Sequence, residues 1–214
     1  MIPKIIHYCW FGGKPLPPLY QRCVDSWAEK LPDYRVVRWD ETNTTFDTPF
    51  LQNCLRKQQW AFLSDYIRLR AIADQGGIYL DADIEVVKSF DPLLAHQCFL
   101  GMEAPARPTT GVIGSIADHW FPRACMRLID ERHAARKPYL IAPEVAMACV
   151  QAGEAGSIAV LSEEHFYPYN PYDASRPVKE LMFSSITQDT FAIHHWGKSW
   201  RQSLVSRILK KLGF

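Results

Sequence analysis

The sequence predicts a single-domain α/β protein, and three observations carry that prediction. Apolar runs of strand length alternate with amphipathic runs of helical period along the chain. Glycine pairs mark two of the transitions, at Gly12-Gly13 and Gly76-Gly77. The length of 214 residues supports one full hydrophobic core without staples and stretches thin over two.

Taken in order, residues 4–10 form a β-branched and aromatic run that ends at Gly12-Gly13 and reads as a strand. A Pro-rich loop over 14–18 leads into an amphipathic helix over 19–31, and residues 34–39 read as the next strand. Two helices follow, over 49–57 and 60–75; the second carries Phe62, Tyr66, Leu69 and Ala73 on one face and stops on Gly76-Gly77 as a C-cap should. Residues 78–80 are a third strand. Strand-like runs at 97–102, 111–116, 158–161 and 191–196 then alternate with helical patterns near 120–134 and 143–152. The stretch from Phe166 to Pro177, rich in Tyr, Pro and Asn, is the longest expected loop.

Bulk properties exclude several classes. A net charge of +1 offers no field for nucleic acid. Six cysteines, at 9, 23, 54, 98, 125 and 149, contain no C-x-x-C pair and lie mostly in apolar or helical patterns, which argues for a reducing compartment and against structural zinc. The N-terminal residues lack a signal-peptide pattern and no stretch approaches eighteen apolar residues, so the expectation is a cytoplasmic chain that does not span a membrane.

The segment GGIYLDADIEV, residues 76–86, puts two aspartates just beyond an apolar strand, where ligands bind in open α/β sheets. Two like charges at a buried strand end need a positive partner. On an extended chain Asp81 and Asp83 project to the same side and can share one hard cation, with Ala82 packing the other way. A bare D-x-D arises often by chance, and a solvated turn is the plain alternative. The apolar Ile78-Tyr79-Leu80 before it and the extended Ile84 to Val87 after it favour the cation, and two carboxylates with phosphate oxygens suit Mg²⁺ or Mn²⁺.

Three blocks, residues 2–13 (IPKIIHYCWFGG), 62–86 (FLSDYIRLRAIADQGGIYLDADIEV) and 192–200 (AIHHWGKSW), resemble the sugar-nucleotide-dependent glycosyltransferases of GT-A fold, specifically family 32. That family includes α-mannosyltransferases and sugar transferases of bacterial capsule and lipopolysaccharide, and is related to the catalytic domain of glucosylating toxins. The resemblance implies a GT-A domain over residues 1–200, with a mixed, mostly parallel central sheet flanked by helices. It implies donor contacts from Tyr8, Trp10, Phe11 and Gly12, with Trp10 against the nucleotide base, and from Tyr79 and Ala82 beside the motif. Ser64, Asp65 and Arg68 fall on one polar side of their helix; the resemblance assigns Asp65 to the sugar hydroxyls and Arg68 to the sugar or diphosphate, whereas spacing alone allows a surface ion pair. It places one histidine on the metal. The two point to opposite sides of a strand, so only one can serve, with His194 preferred and His195 the fallback, and an imidazole ligand favours Mn²⁺. Ser199 and Trp200 are expected to close over the diphosphate.

The implied reaction is metal-dependent, retaining transfer from a nucleotide sugar to a glycan or lipid-linked acceptor, with a UDP-sugar preferred and GDP-mannose the alternative. A covalent route would need a carboxylate beneath the sugar, and Glu103 and Glu144, each in a polar break after an apolar run, are the candidates. Residues 201–214 alternate apolar and basic faces, as a helix lying on an anionic membrane or as one packed on the domain, so a peripheral site on the inner membrane face is one expectation. Two rivals are an aspartyl phosphatase and a sugar-binding module without turnover. The first is disfavoured by Ile84-Glu85 after the motif and by the lack of any Asp-Asp pair, the second by the intact Asp81, Asp83 and Arg68.

Overall fold

The computed structural model describes residues 1–153 and 156–197. Ser199, Trp200 and the expected helix over 201–214 therefore lie outside the described residues. Eight strands are described: β1 (Ile5–Cys9), β2 (Arg35–Trp39), β3 (Gly77–Leu80), β4 (Ile84–Val86), β5 (Cys98–Ala104), β6 (Arg107–Ser115), β7 (Ala159–Leu161) and β8 (Ala192–His194). Five α-helices accompany them: α1 (Pro18–Lys30), α2 (Pro49–Arg56), α3 (Trp60–Gln75), α4 (Trp120–Ala134) and α5 (Ala142–Ala152).

Six strands form one sheet in the order β2-β1-β3-β6-β5-β7, and β4 pairs with β8 in a separate antiparallel ribbon. Within the sheet β1 runs parallel to β2 and β3, and β5 parallel to β7, while β6 is antiparallel to both its neighbours. The sheet is thus mixed and mainly parallel, as expected.

Period-two alternation splits the core into two layers. Ile6, Tyr8, Ile78, Leu80, Phe99 and Val112 face a layer closed by α1, the ribbon and Phe166-Tyr167. Cys9, Phe11, Tyr79, Leu100 and Ile113 face the other, closed by α2 to α5. Of the expected inward face of α3, Tyr66, Leu69 and Ala73 are buried and Phe62 is only half-buried, while Leu63, Ile67 and Ile72 add to the packing. This helix is buried on nearly every side because it lies between the sheet and α4. All six cysteines are free and buried.

The α3-to-β3 turn explains the double glycine. Gly76 and Gly77 have φ of 65° and 104°, in the left-handed region that side chains avoid. A Cβ on Gly77 would sit 2.7 Å from the Ile5 carbonyl oxygen. Only glycine lets the chain leave the helix and pair at once with β1.

His7, in the middle of β1, is fully buried, with Nε2 2.9 Å from the Gly76 carbonyl and Nδ1 accepting from the Trp39 indole N–H at 3.2 Å. Both ring nitrogens are satisfied only in the neutral form. Burial drives the pKa down to about 4, against the Gly76 hydrogen bond, which raises it; the Arg35 charge lowers it further. A histidine depressed in the fold and ordinary when unfolded lends full stability above about pH 6.5 and loses it as pH falls toward about 4, by roughly 3 kcal/mol in all. Urea unfolding at about pH 7.5 and 4.5 should show this loss in the native chain and a smaller one in His7→Gln.

Candidate active site

The site assembles where β3 runs out. The Asp81 N–H still donates to the Gly111 carbonyl on β6 at 2.9 Å, and the chain then turns, closed by Ile84 N–H to the Asp81 carbonyl at 2.9 Å. The pairing of Asp81 with Asp83 thus comes from a tight turn, where the sequence argument used extended alternation. Beyond the turn β4 is held by α1: the Trp27 indole donates to the Ile84 carbonyl at 2.7 Å, and the Val86 N–H donates to the Ser26 hydroxyl at 2.9 Å. Antiparallel pairing sets Ile84 opposite His194, which carries this histidine to the aspartates.

Asp81, Asp83 and His194 offer ligand atoms that all lie within 4.8 Å of one another. Asp83 is buried; its Oδ1 is 3.2 Å from His194 Nε2 and its Oδ2 accepts the Gly197 N–H at 2.7 Å. Burial alone would raise its pKa, but the His194 charge, the hydrogen bond to that ring and the Gly197 N–H outweigh it and hold the carboxyl at about 2. Burial instead wins at Asp81, whose pKa is raised; Arg68 opposes the rise and the Asp83 charge adds to it. His194 is raised against its own burial, by Asp83 first and then by Asp81 and Glu103. Its Nδ1 is buried without a hydrogen-bond partner. Two carboxylates, one imidazole and an orphaned ring nitrogen fit a divalent cation, with the oxygen and nitrogen donors that Mg²⁺ and Mn²⁺ accept.

Arg68 is the second charged element. Its guanidinium is 2.9 Å from Asp65 and 3.0 Å from Asp81, with a side-chain exposure of 6%, and it lies 4.7 Å over the Tyr79 ring. The surface-pair alternative is thereby overturned: the helix face bearing Asp65 and Arg68 looks into the site, because the sheet covers it and Arg68 reaches Asp81 beyond the end of β3. Asp65 has its pKa raised to about 6, chiefly by burial, with Arg68 opposing and Asp81 reinforcing. The Tyr79 hydroxyl donates to Asp81 at 3.1 Å, and the Ser64 carbonyl takes a long 3.4 Å bond from Arg68 Nε. Ala82 is buried within the turn.

Other expected site residues separate. His195 turns away and its Nε2 meets Glu85 at 2.7 Å, outside the three-residue cluster. Glu144 is exposed and accepts the Ile141 N–H at 3.1 Å, capping α5, so it is corrected to a capping residue. Glu103 pairs with Arg107 at 2.6 Å and is near enough to act electrostatically on His194 and Tyr167. Tyr8 is buried edge-on against Trp27, and Phe11 against Phe46, so both rings serve the core. Trp10 is half-buried, tilted on Tyr20 at 5.2 Å, with its indole donating to the Lys14 carbonyl. The Gly12 N–H donates to Glu41 at 2.6 Å.

Tyr167, Trp196, Gly197 and Gly111 also line the site, unmarked among the residues expected from sequence. Tyr167 is fully buried, meets the His194 ring edge-on at 5.6 Å, and its hydroxyl accepts the Val112 N–H at 2.9 Å. Trp196 lies 4.2 Å from the His194 ring. The H-H-W-G run was the signal for two of these; nothing local marks Gly111. A Cβ there would fall 2.8 Å from Asp81 Oδ2 and 3.0 Å from the Tyr167 hydroxyl. Gly111→Ala is expected to push the more mobile Asp81 carboxylate aside and weaken Mn²⁺ binding about 10- to 100-fold, with about 1–3 kcal/mol of lost stability, as read by calorimetric titration and unfolding.

Residues 17–100 match the family described as "Glycosyltransferase sugar-binding region containing DXD motif". The fold is the one seen in solved glycosyltransferases, and the candidate site lies at the DXD motif within the matched residues. The chain is 31% identical over 135 residues to a mannosyl phosphorylinositol ceramide synthase of Saccharomyces cerevisiae, covering 56% of this chain and 33% of that protein. It is 30% identical over 125 residues to inositol phosphoceramide mannosyltransferase 3 of Schizosaccharomyces pombe, covering 56% and 35%. The chain thus spans about a third of the length of the curated relatives it matches. In solved structures it shares its fold with the PaToxG glycosyltransferase (TM-score 0.61, 18% identity, 71% of this chain and 68% of that one). It also shares it with the galactosyltransferase LgtC solved with donor and acceptor sugar analogs (TM-score 0.52, 13% identity, 98% and 94%).

Proposed function

We propose that this chain is a metal-dependent, retaining glycosyltransferase that moves a hexose from a nucleotide-sugar donor to a glycan or lipid-linked acceptor at a membrane face. The carrying observation is the gathering of Asp81, Asp83 and His194 within 4.8 Å at the end of β3, with the Arg68 guanidinium 3.0 Å from Asp81. A divalent cation held by these three residues would supply Lewis-acid stabilisation of the departing diphosphate.

The chain's own groups do the rest. Arg68, fixed by Asp65 and Asp81, presents a permanently charged planar donor to the donor's sugar or diphosphate. Asp65 accepts hydrogen bonds from the sugar hydroxyls, with Ser64 beside it. The turn holding Ala82 keeps both motif carboxylates on one side, and Tyr79 orients Asp81. Trp10 and Gly12 form the base site, with Tyr8 and Phe11 behind them in the core. After Asp83 and Asp81, Glu103 is the next carboxylate to act on His194.

The preferred donor from the sequence motifs is a UDP-sugar. The mannosyltransferase names of the relatives favour GDP-mannose as the second reading. A thermal-shift panel of UDP- and GDP-sugars with Mn²⁺ decides both points: saturation at a hundred dissociation constants adds about 2.7 kcal/mol, and EDTA should abolish it. Slow release of free nucleotide without acceptor would accompany it. A chain that no nucleotide sugar stabilises, or whose stabilisation survives EDTA, sinks this reading.

A further inference from the structure

The run Asp40-Glu41-Thr42-Asn43 follows β2 directly and is made of residues that fold turns on themselves. In the fold this turn is fixed by its own side chains. Asp40 accepts the Thr42 N–H at 2.9 Å and the Thr42 hydroxyl at 2.6 Å, and lies 3.1 Å from Arg38 Nε. Asn43 accepts the Asp40 N–H at 2.9 Å and donates to the Arg38 carbonyl at 2.7 Å. Asp40 and Asn43 are thus spent within the turn, and Glu41 is aimed elsewhere.

Glu41 is exposed and crosses to the end of β1, where its Oε1 accepts the Gly12 N–H at 2.6 Å. Among the described residues no partner meets its Oε2. Holding one N–H needs one acceptor, whereas an ionised carboxylate offers about four accepting positions on two oxygens. The bond to Gly12 therefore sets the direction of a carboxylate whose second oxygen the chain itself does not use. Space is open beside it: a Cβ on Gly13 would meet nothing within 4 Å.

The place of this carboxylate follows from the sheet. β2, β1 and β3 are adjacent and parallel, with Cys9 beside Trp39 and His7 beside Tyr79, so all three run out on one edge of the sheet at nearly the same level. Ligands of open α/β sheets bind along that edge. The ends stand about 4.8 Å apart in turn, which puts the β2 end roughly 10 Å from the Asp81 end of β3. The span from a diphosphate across one ribose to its base is of the same order. With the diphosphate at Asp81 and Asp83 and the base on Trp10, Glu41 stands at the outer edge of the base.

The four common bases differ in what that edge offers a carboxylate. Guanine presents two neighbouring donors, N1–H and the 2-amino group, matched to two carboxylate oxygens. Uracil presents one N–H between two carbonyl oxygens, which a carboxylate repels. Adenine and cytosine each set a ring nitrogen acceptor beside a single amino group. We propose that Glu41 selects guanine in the donor nucleotide, with Oε2 and the free side of Oε1 accepting from that pair of donors. This rests on the proposed function and turns its choice of donor to a GDP-sugar. Capping of the Gly12 turn is the plainer role, and an uncharged acceptor would fill it as well.

The test is calorimetric titration of GDP, UDP and IDP, each with Mn²⁺, into the native chain, Glu41→Gln and Glu41→Ala. IDP is GDP without the 2-amino group, so it probes the contact with no change to the protein. The native chain should bind GDP about tenfold or more tightly than UDP, with IDP between them. Both variants should weaken GDP about 10- to 100-fold, as the loss of charge-assisted hydrogen bonds does, and change UDP less than about threefold. Tighter or equal binding of UDP by the native chain, equal binding of IDP and GDP, or a loss shared equally by GDP and UDP in the variants would each overturn the selection. The shared loss would move Glu41 to the ribose or to the turn alone. All three of those results leave the proposed function standing, since a nucleoside diphosphate still binds with Mn²⁺. Failure of every nucleotide to bind the native chain with Mn²⁺ sinks both.

Discussion

Arg68→Ala is expected to cost about 3–5 kcal/mol of stability, because it leaves two enclosed carboxylates without their counter-charge. Asp65 and Asp81 lie at 18% and 26% side-chain exposure, and the one guanidinium bonds both, at 2.9 and 3.0 Å. The stacking of that group over Tyr79 at 4.7 Å is lost with it. Arg68→Lys keeps the charge but not the planar fork, so it should recover only part of the loss. Denaturant unfolding of the three proteins measures this directly. A loss under about 1 kcal/mol in Arg68→Ala would place the pair among solvent-screened surface bridges and contradict the enclosed geometry.

Asp83→Ala and Asp81→Asn are each expected to lower nucleotide release from the donor about a thousandfold, equivalent to about 4 kcal/mol of transition-state stabilisation. Asp83 also accepts the Gly197 N–H at 2.7 Å, so its loss should loosen that residue's attachment as well. Asp81→Asn keeps the size of the side chain and its contact with Tyr79, and isolates the charge. In both variants Mn²⁺ should no longer mediate donor stabilisation in a thermal-shift assay, while unliganded melting shows that the fold persists. Retention of Mn²⁺-dependent turnover by either protein would remove the carboxylate pair from the reaction.

Local patterning predicted the strands and helices well because each carries its signal in adjacent residues. The Gly76-Gly77 stop shows this: only a left-handed pair lets α3 pass into β3. Residues 191–196 were likewise legible as a strand, though it closes at His194 and pairs with β4 outside the main sheet. Partner choice was not legible, since a three-residue strand has no sequence mark for its neighbour. The same limit applies to α3, whose polar side reads as a surface in sequence and is covered by the sheet in the fold.

At the site, the D-x-D spacing and the H-H-W run were legible. Which histidine joins the aspartates follows from register, with Ile84 opposite His194 and His195 turned to Glu85. Glu144 and Glu103 looked alike in sequence, each a carboxylate after an apolar run. Packing separates them, because one caps a helix start and the other sits on the strand that meets Asn170 beside the site.

The order of elements, the glycine stops and the identity of the charged groups were set by the sequence itself, because propensity and spacing act over a few residues. The joining of Asp81, Asp83 and His194, the enclosure of Arg68 and the need for a bare Cα at Gly111 were decided by tertiary structure alone. Those are contacts between segments far apart in the chain, and only the folded geometry sets their distances and the burial that shifts their charges.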